Sequence, residues 1–215
     1  MRCLITCGPT YESLDQVRRL TNFSTGQLGI GLANHLQSAG HEITLFKGYY
    51  ATCADPCNVR PVTFTTTDDL FANFRSAADE KFDAIFHAAA VSDFRFGTTY
   101  MRLPNGSLKP ISSRKFSTRD GNLFAELVPT PKIISHLRVL FPSAKIFGWK
   151  YEVEGSRDDA IALGLKQVRE NKTNFSIVNG PAYGRGFGVV NTNELMKHCP
   201  VAADLYAFLL QLSAK

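Results

Sequence analysis

The run RCLITCGPTYESLDQVRRLTNFSTGQLGIGLANHLQS, residues 2–38, decides the fold. It opens on a strand-like stretch, Arg2 to Cys7, and closes on a segment of helical period from about Gly26 to Ser38. A strand that leads into a covering helix is the repeating unit of a parallel sheet. In a dinucleotide-binding unit the glycine motif follows the first strand directly, so that pyrophosphate rests on the helix N-terminus. Here a long polar stretch, Pro9 to Phe23, separates Gly8 from the segment Ser24-Thr25-Gly26-Gln27-Leu28-Gly29-Ile30-Gly31 that opens the helix. Ser24 or Thr25 is placed to cap that helix, and the unpaired N–H groups behind the cap suit a phosphate. Gly26 and Gly29 let a ligand or the sheet approach closely, which ordinary helix–strand packing would also require. Asn22, just before the cap, carries an amide able to hold a carbonyl or carboxylate, and asparagine is equally a turn residue.

Outward from this run the alternation continues. Strands are expected at Glu42 to Phe46, Val59 to Thr65, Asp83 to Ala88, Lys145 to Lys150 and Phe175 to Val178. Helices are expected at about Asp68 to Asp79, Pro131 to Leu140 and Arg157 to Glu170, with a last amphipathic one at Val201 to Leu212. The class is therefore α/β: a Rossmann-like, mostly parallel sheet with helices on both faces. Residues 94–127 break the rhythm, because Gly97, Pro104-Asn105-Gly106 and Pro110 punctuate a stretch without helical period. That segment reads as an inserted hairpin and loop, an arm that covers a site or reaches a neighbouring subunit, within a single domain spanning 1–215.

With 44% hydrophobic residues the chain can bury one substantial core. No stretch approaches the roughly 20 apolar residues of a membrane-spanning helix, and Arg2 to Cys7 is too short for a signal-peptide core, so a cytoplasmic protein without membrane contact is expected. Five cysteines, Cys3, Cys7, Cys53, Cys57 and Cys199, show no framework spacing and point to a reducing compartment. Cys53 and Cys57 lack a second ligand pair, so no metal site is assigned. The formal charge of +5 comes from scattered basic residues, which favours phosphorylated small molecules over nucleic acid.

Two longer motifs narrow the function. The first runs from Ile5-Thr6-Cys7-Gly8-Pro9-Thr10-Tyr11-Glu12 through Asp15-Gln16-Val17-Arg18 to Asn22-Phe23-Ser24-Thr25-Gly26 and Gly29. The second is Ala88-Ala89-Ala90-Val91-Ser92-Asp93-Phe94, followed by Val128-Pro129-Thr130-Pro131 and Gly148-Trp149-Lys150-Tyr151-Glu152. In this order they resemble the signatures of phosphopantothenoylcysteine synthetases. The resemblance implies a ligase that joins 4'-phosphopantothenate to cysteine in coenzyme A biosynthesis. The carboxylate would attack the α-phosphate of CTP or ATP, with Mg²⁺ bridging phosphates, and the cysteine amine would then displace the nucleotide.

By matching position, Asn22 is implied to bind the pantothenoyl substrate and intermediate, with Ser24, Thr25 and Gly26 near its phosphate. Ala88, Ala89, Ala90, Asp93, Pro131, Ile133 and Ile134 are implied to border the nucleotide, and Trp149 stands where the family has phenylalanine beside the base. The family's loop lysine falls, without gaps, on Ser112; Lys115 and Lys109 lie three residues to either side, and Lys115 is the first choice. Lys166 and Lys172 fall near two phosphate-binding lysines. Asn179-Gly180 departs from the family's asparagine–aspartate ending. The resemblance also implies a homodimer and leaves decarboxylation of the product to a separate protein.

Two other functions compete. A diverged, non-catalytic paralogue would keep the fold and bind a phosphorylated ligand. An NAD(P)-dependent reductase is disfavoured, because Leu45-Phe46-Lys47-Gly48 lacks a ribose-binding acid and no tyrosine has lysine four positions later.

Overall fold

The computed structural model describes residues 1–56, 58–117 and 121–214; the expectation for Cys57 lies outside the described residues. Its centre is an eight-stranded sheet in the order β13-β12-β11-β10-β6-β1-β4-β5. The parallel strands are β1 (Arg2–Cys7), β4 (Glu42–Gly48), β5 (Val62–Phe64), β6 (Ala84–His87), β10 (Lys145–Tyr151) and β11 (Phe175–Asn179). An antiparallel pair, β12 (Phe187–Val190) and β13 (Leu195–Cys199), extends one edge.

The alternation of β1 explains how both faces are covered. Cys3, Ile5 and Cys7 join one core with α1 (Gln27–Ser38) and α5 (Ala202–Ala214). Leu4 points the other way, into a second core with α2 (Thr67–Ser76) and α3 (Ile134–Leu140). The helix α4 (Arg157–Asn171) packs Ala160 and Val168 against Val178 and Val190. It starts at a capping box in which Ser156 and Asp159 satisfy each other's backbone N–H groups.

The expected class and most expected elements match the structure. Several helices and strands are trimmed: α3 begins at Ile134 rather than Pro131, α2 ends at Ser76, β5 is confined to Val62–Phe64 and β6 to Ala84–His87. Two hairpins were not expected. The polar stretch after Gly8 folds into β2 (Tyr11–Ser13) and β3 (Arg19–Thr21), and β12 and β13 form the other. The arm is a three-stranded sheet, β7 (Phe94–Arg102), β8 (Leu108–Ile111) and β9 (Leu123–Pro129), in the order β8-β7-β9.

Chain order reverses at β1, which has β4 on one side and β6 on the other. In open α/β sheets a crevice forms outside the carboxyl ends of the strands at such a switch.

Candidate active site

A cavity of about 1670 Å³ occupies that crevice. Its walls come from the carboxyl ends of β1, β6, β10 and β11 and from the first turn of α1. Ligand pockets commonly measure about 300–1,000 Å³, so this one has room for more than one small substrate.

The two long motifs meet there because their backbones are bonded together. Thr10 N donates to Ala90 O at 3.1 Å and Ala90 N to Gly8 O at 3.0 Å. The buried Thr10 hydroxyl accepts from Ser92 N at 2.8 Å and donates to Ser92 Oγ at 3.1 Å. Glu12 is buried, and its Oε1 accepts from Thr67 N at 3.0 Å, placing a carboxylate on the N-terminus of α2. Thr130 closes the far side, donating its N–H to Asp93 O and its hydroxyl to Ser92 O.

Asn22 ties the loop before α1 to the same segment. Its Nδ2 donates to Val91 O at 3.1 Å and to Ala90 O at 3.3 Å. Two carbonyl acceptors fix which end of the amide carries the hydrogens, so the group Asn22 leaves for a ligand is Oδ1, an acceptor. It cannot offer those N–H groups to a carboxylate while the bracket holds.

The cap of α1 differs from expectation. Gly26 is the N-cap, at φ 80°, and Thr25 Oγ1, one residue before it, accepts from Gln27 N, the first N–H of the helix, at 3.3 Å. Glycine adopts that conformation without strain, and Gln27, Leu28 and Gly29 of the first turn line the cavity. Gly29 serves packing: a Cβ there would lie 2.4 Å from Cys7 Cβ.

Of the expected residues, Asn22, Ser24, Thr25, Gly26, Ala88, Ala89, Ala90, Asp93, Pro131, Ile133, Ile134, Trp149 and Lys166 line the cavity. Three lysines do not. Lys172 is the C-cap of α4, its carbonyl accepting from Arg138 Nε at 3.0 Å, at the amino edge of the sheet where β11 begins. Lys172 lies six residues beyond Lys166, about 9 Å further along the axis of α4 and past its last turn, which sets it apart from the cavity wall. Lys109 pairs with Met101 in the arm sheet, and Lys115 follows β8, its N–H donating to Ser113 Oγ.

The walls also carry Lys132, Lys150 and Asn179, which the sequence reading left unassigned. The first two stand inside quoted motifs, and Asn179 closes β11 at the edge where the other strands converge. Lys150 pairs with Glu152 at 2.7 Å. Two buried polar atoms on the walls have no hydrogen-bond partner among the described residues, Trp149 Nε1 and Asn179 Oδ1. They sit on one face of adjacent strands, since Trp149 registers with Ile177 and Tyr151 with Asn179. His87 at the cavity floor is buried, its Nδ1 2.8 Å from Thr6 Oγ1, and desolvation pushes its imidazole down to about 4, so it is neutral.

The fold and this cavity define an α/β protein that gathers a helix N-terminus, lysines and buried polar atoms at the carboxyl edge of its sheet. The chain belongs to the family described as DNA/pantothenate metabolism flavoprotein C-terminal domain, which matches residues 1–198. The coenzyme A biosynthesis bifunctional protein CoaBC of Thermococcus kodakarensis is 30% identical over 179 residues, covering 83% of this chain and 41% of that protein. A cysteine/cysteine sulfinic acid decarboxylase from an unknown prokaryotic organism is 29% identical, covering 98% of this chain and 58% of that protein. The chain thus spans about half the length of these relatives. The crystal structure of the DNA/pantothenate metabolism flavoprotein from Streptococcus pneumoniae superposes with a TM-score of 0.85 at 26% identity, covering 99% of this chain and 97% of that one.

Proposed function

We propose that the chain is a ligase that joins 4'-phosphopantothenate to cysteine through an acyl-nucleotidylate made from CTP or ATP. The observation that carries this is the junction of the two motifs, where Asn22, residues 88–93 and the first turn of α1 form one wall of a cavity with room for two substrates. The family and the name of the Thermococcus relative support the same reading.

The substrate carboxylate attacks the α-phosphorus and pyrophosphate leaves. The amine of cysteine then attacks the acyl carbon, the nucleoside monophosphate departs with the bonding electrons, and the amine proton passes to solvent. Both steps need charged partners held at close range in fixed orientation, with little covalent work by the protein. The N–H groups of α1 beside Ser24, Thr25 and Gly26 face a phosphate. Asn22 Oδ1 accepts from an N–H of the incoming amine or the intermediate. Ala88 to Ala90, Asp93, Pro131, Ile133 and Ile134 border the nucleotide, the Trp149 ring supplies a face for its base, and Lys166 a charge for its phosphates. Mg²⁺ bound with the nucleotide would offset the charge on its phosphates. Among the described residues no three His, Cys, Asp or Glu side chains gather to hold a metal.

Lys109 and Lys115 stand outside this chain's own cavity, so the arm acts by closing over it or by reaching a second copy. Exposed apolar surface supports a homodimer: Phe23 is fully exposed at the cavity mouth, with Val17, Leu20, Phe94 and Leu127 exposed on the hairpin and arm. The test is pyrophosphate release with phosphopantothenate, cysteine and CTP or ATP in turn. Release that requires phosphopantothenate supports the ligase. No release with either nucleotide replaces it with the non-catalytic paralogue.

A further inference from the structure

The first motif contains Asp15 and Arg18, for which the cavity has no use. Asp15 sits at the turn between β2 and β3 with its side chain shut off from solvent. Its two oxygens accept from five N–H groups. Oδ1 takes Val17 N at 2.9 Å and Arg18 N at 2.7 Å; Oδ2 takes Arg18 Nε at 3.1 Å, Arg18 Nη2 at 2.6 Å and Phe116 N at 3.2 Å. The last donor belongs to the arm loop, a hundred residues away in sequence.

Further bonds reinforce that junction. Arg18 Nη2 also donates to Phe116 O at 2.8 Å, and its guanidinium lies 5.9 Å from the centre of the Phe116 ring. Gln16 N donates to Arg114 O at 3.0 Å. Phe116 is buried although its neighbours Arg114 and Lys115 are exposed. The backbone on both sides of Lys115 is therefore pinned to the hairpin turn, while the lysine side chain projects outward. The hairpin leads through Thr21, whose hydroxyl bonds Thr10 O at 2.9 Å, straight into Asn22 on the cavity wall.

We infer that Asp15 is a positioning residue for the ligation, a buried latch that makes the lysine-bearing arm loop and the Asn22 rim of the cavity one mechanical unit. The inference rests on the ligase reading for its consequence and on the hydrogen bonds alone for the latch. A salt bridge by itself would be worth little at this surface. What distinguishes Asp15 is that one carboxylate satisfies donors from two segments, so that losing it unpairs both. The Arg18 hydrogen bonds, ahead of those from the backbone, hold its carboxyl well below the usual carboxylate range, so it stays charged at any working pH.

Hydrogen exchange at single amides reads the latch without reference to activity. In the wild type, the amides of Val17, Arg18 and Phe116 are expected to open together at one common rate. In Asp15→Asn, exchange at Phe116 should quicken by about 10-fold or more, while the amides of β1 and β6 stay unchanged. In single-turnover pyrophosphate release, the same variant should lose about 10-fold in rate with nucleotide KM within about 2-fold, since the loop acts on the transition state and not on ground-state binding. Asp15→Glu, which keeps the charge and both acceptor oxygens, should recover part of that rate. The latch is overturned if Phe116 exchanges independently of Val17 in the wild type, a measurement that stands even if Asp15→Asn does not fold. The positioning role is overturned if exchange quickens in the variant and the rate does not fall, or if KM rises as much as the rate falls. A wild type that releases no pyrophosphate removes the ligase and the positioning role together, and the exchange data then report the latch alone.

Discussion

Replacing Asn22 by Asp tests the junction on which the proposed chemistry rests. The amide gives both its hydrogens to Ala90 O and Val91 O. Each such bond is worth roughly 0.5–1.5 kcal/mol net, so Asn22→Asp forfeits about 1–3 kcal/mol and turns two attractions into repulsions between oxygens about 3 Å apart. Asn22 is exposed, so the new charge finds water and the loop before α1 moves away from residues 90–91 while the core stays folded. At 1.36 kcal/mol per factor of ten, losing the junction predicts that kcat/KM for phosphopantothenate falls roughly 10–100-fold. The melting temperature should drop by about 2–12 °C, at about 2–4 °C per kcal/mol for a chain of this size. Steady-state pyrophosphate release and a thermal melt check both numbers. Asn22→Ala, which loses the bonds without the repulsion, should fall between wild type and Asn22→Asp. Unchanged kinetics in an Asn22→Asp protein of normal stability would refute the reasoning.

Gly29→Ala should lower the melting temperature by about 5 °C in a thermal scan. The added Cβ would sit 2.4 Å from Cys7 Cβ, and overpacking of roughly 1–3 kcal/mol outweighs the ~1 kcal/mol gain in helix propensity; a higher melting temperature would contradict this. Burial holds His87 at about 4 against an ordinary 6.5, so between those values the unfolded chain binds more protons and stability falls as the pH drops. The loss amounts to about 3 kcal/mol by pH 4, and urea melts of His87→Gln should lack that part of the slope. Trp149→Phe should leave the unliganded protein as stable as before, because Nε1 has no partner among the described residues to lose. It should weaken nucleotide binding by about 3–10-fold in calorimetry, and unchanged affinity would mean that the base does not use that N–H.

Much of this molecule was legible in its sequence where burial follows periodicity. Cys3, Ile5 and Cys7 against Leu4 place β1 between two cores, and the glycines after Phe23 mark the helix that faces it. The β2–β3 hairpin was hidden because its strands are three residues long and polar, and the inward member, Glu12, is buried by an N–H at the start of α2. The β12–β13 pair is an edge, with Met196, Lys197 and His198 left open to solvent, so no apolar alternation announces it. In the candidate site, residues within the two motifs came together because strand ends converge at a switch point. Lysines did not follow the same logic. Lys172 is the C-cap of α4, six residues past Lys166, and Lys109 and Lys115 ride on an arm whose loop meets Asp15 across about a hundred residues, a contact that spacing does not reveal. Which hydrogens Asn22 has free was equally invisible until Ala90 and Val91 stood beside it.

The most direct test of the central claim uses phosphopantothenate labelled with ¹⁸O in its carboxylate, incubated with cysteine, Mg²⁺ and CTP or ATP, with the nucleotide product analysed by mass spectrometry. An acyl-nucleotidylate route transfers one labelled oxygen into CMP or AMP and releases unlabelled pyrophosphate. Label appearing instead in inorganic phosphate beside CDP or ADP, or amide formed with no label in any nucleotide, would contradict the account.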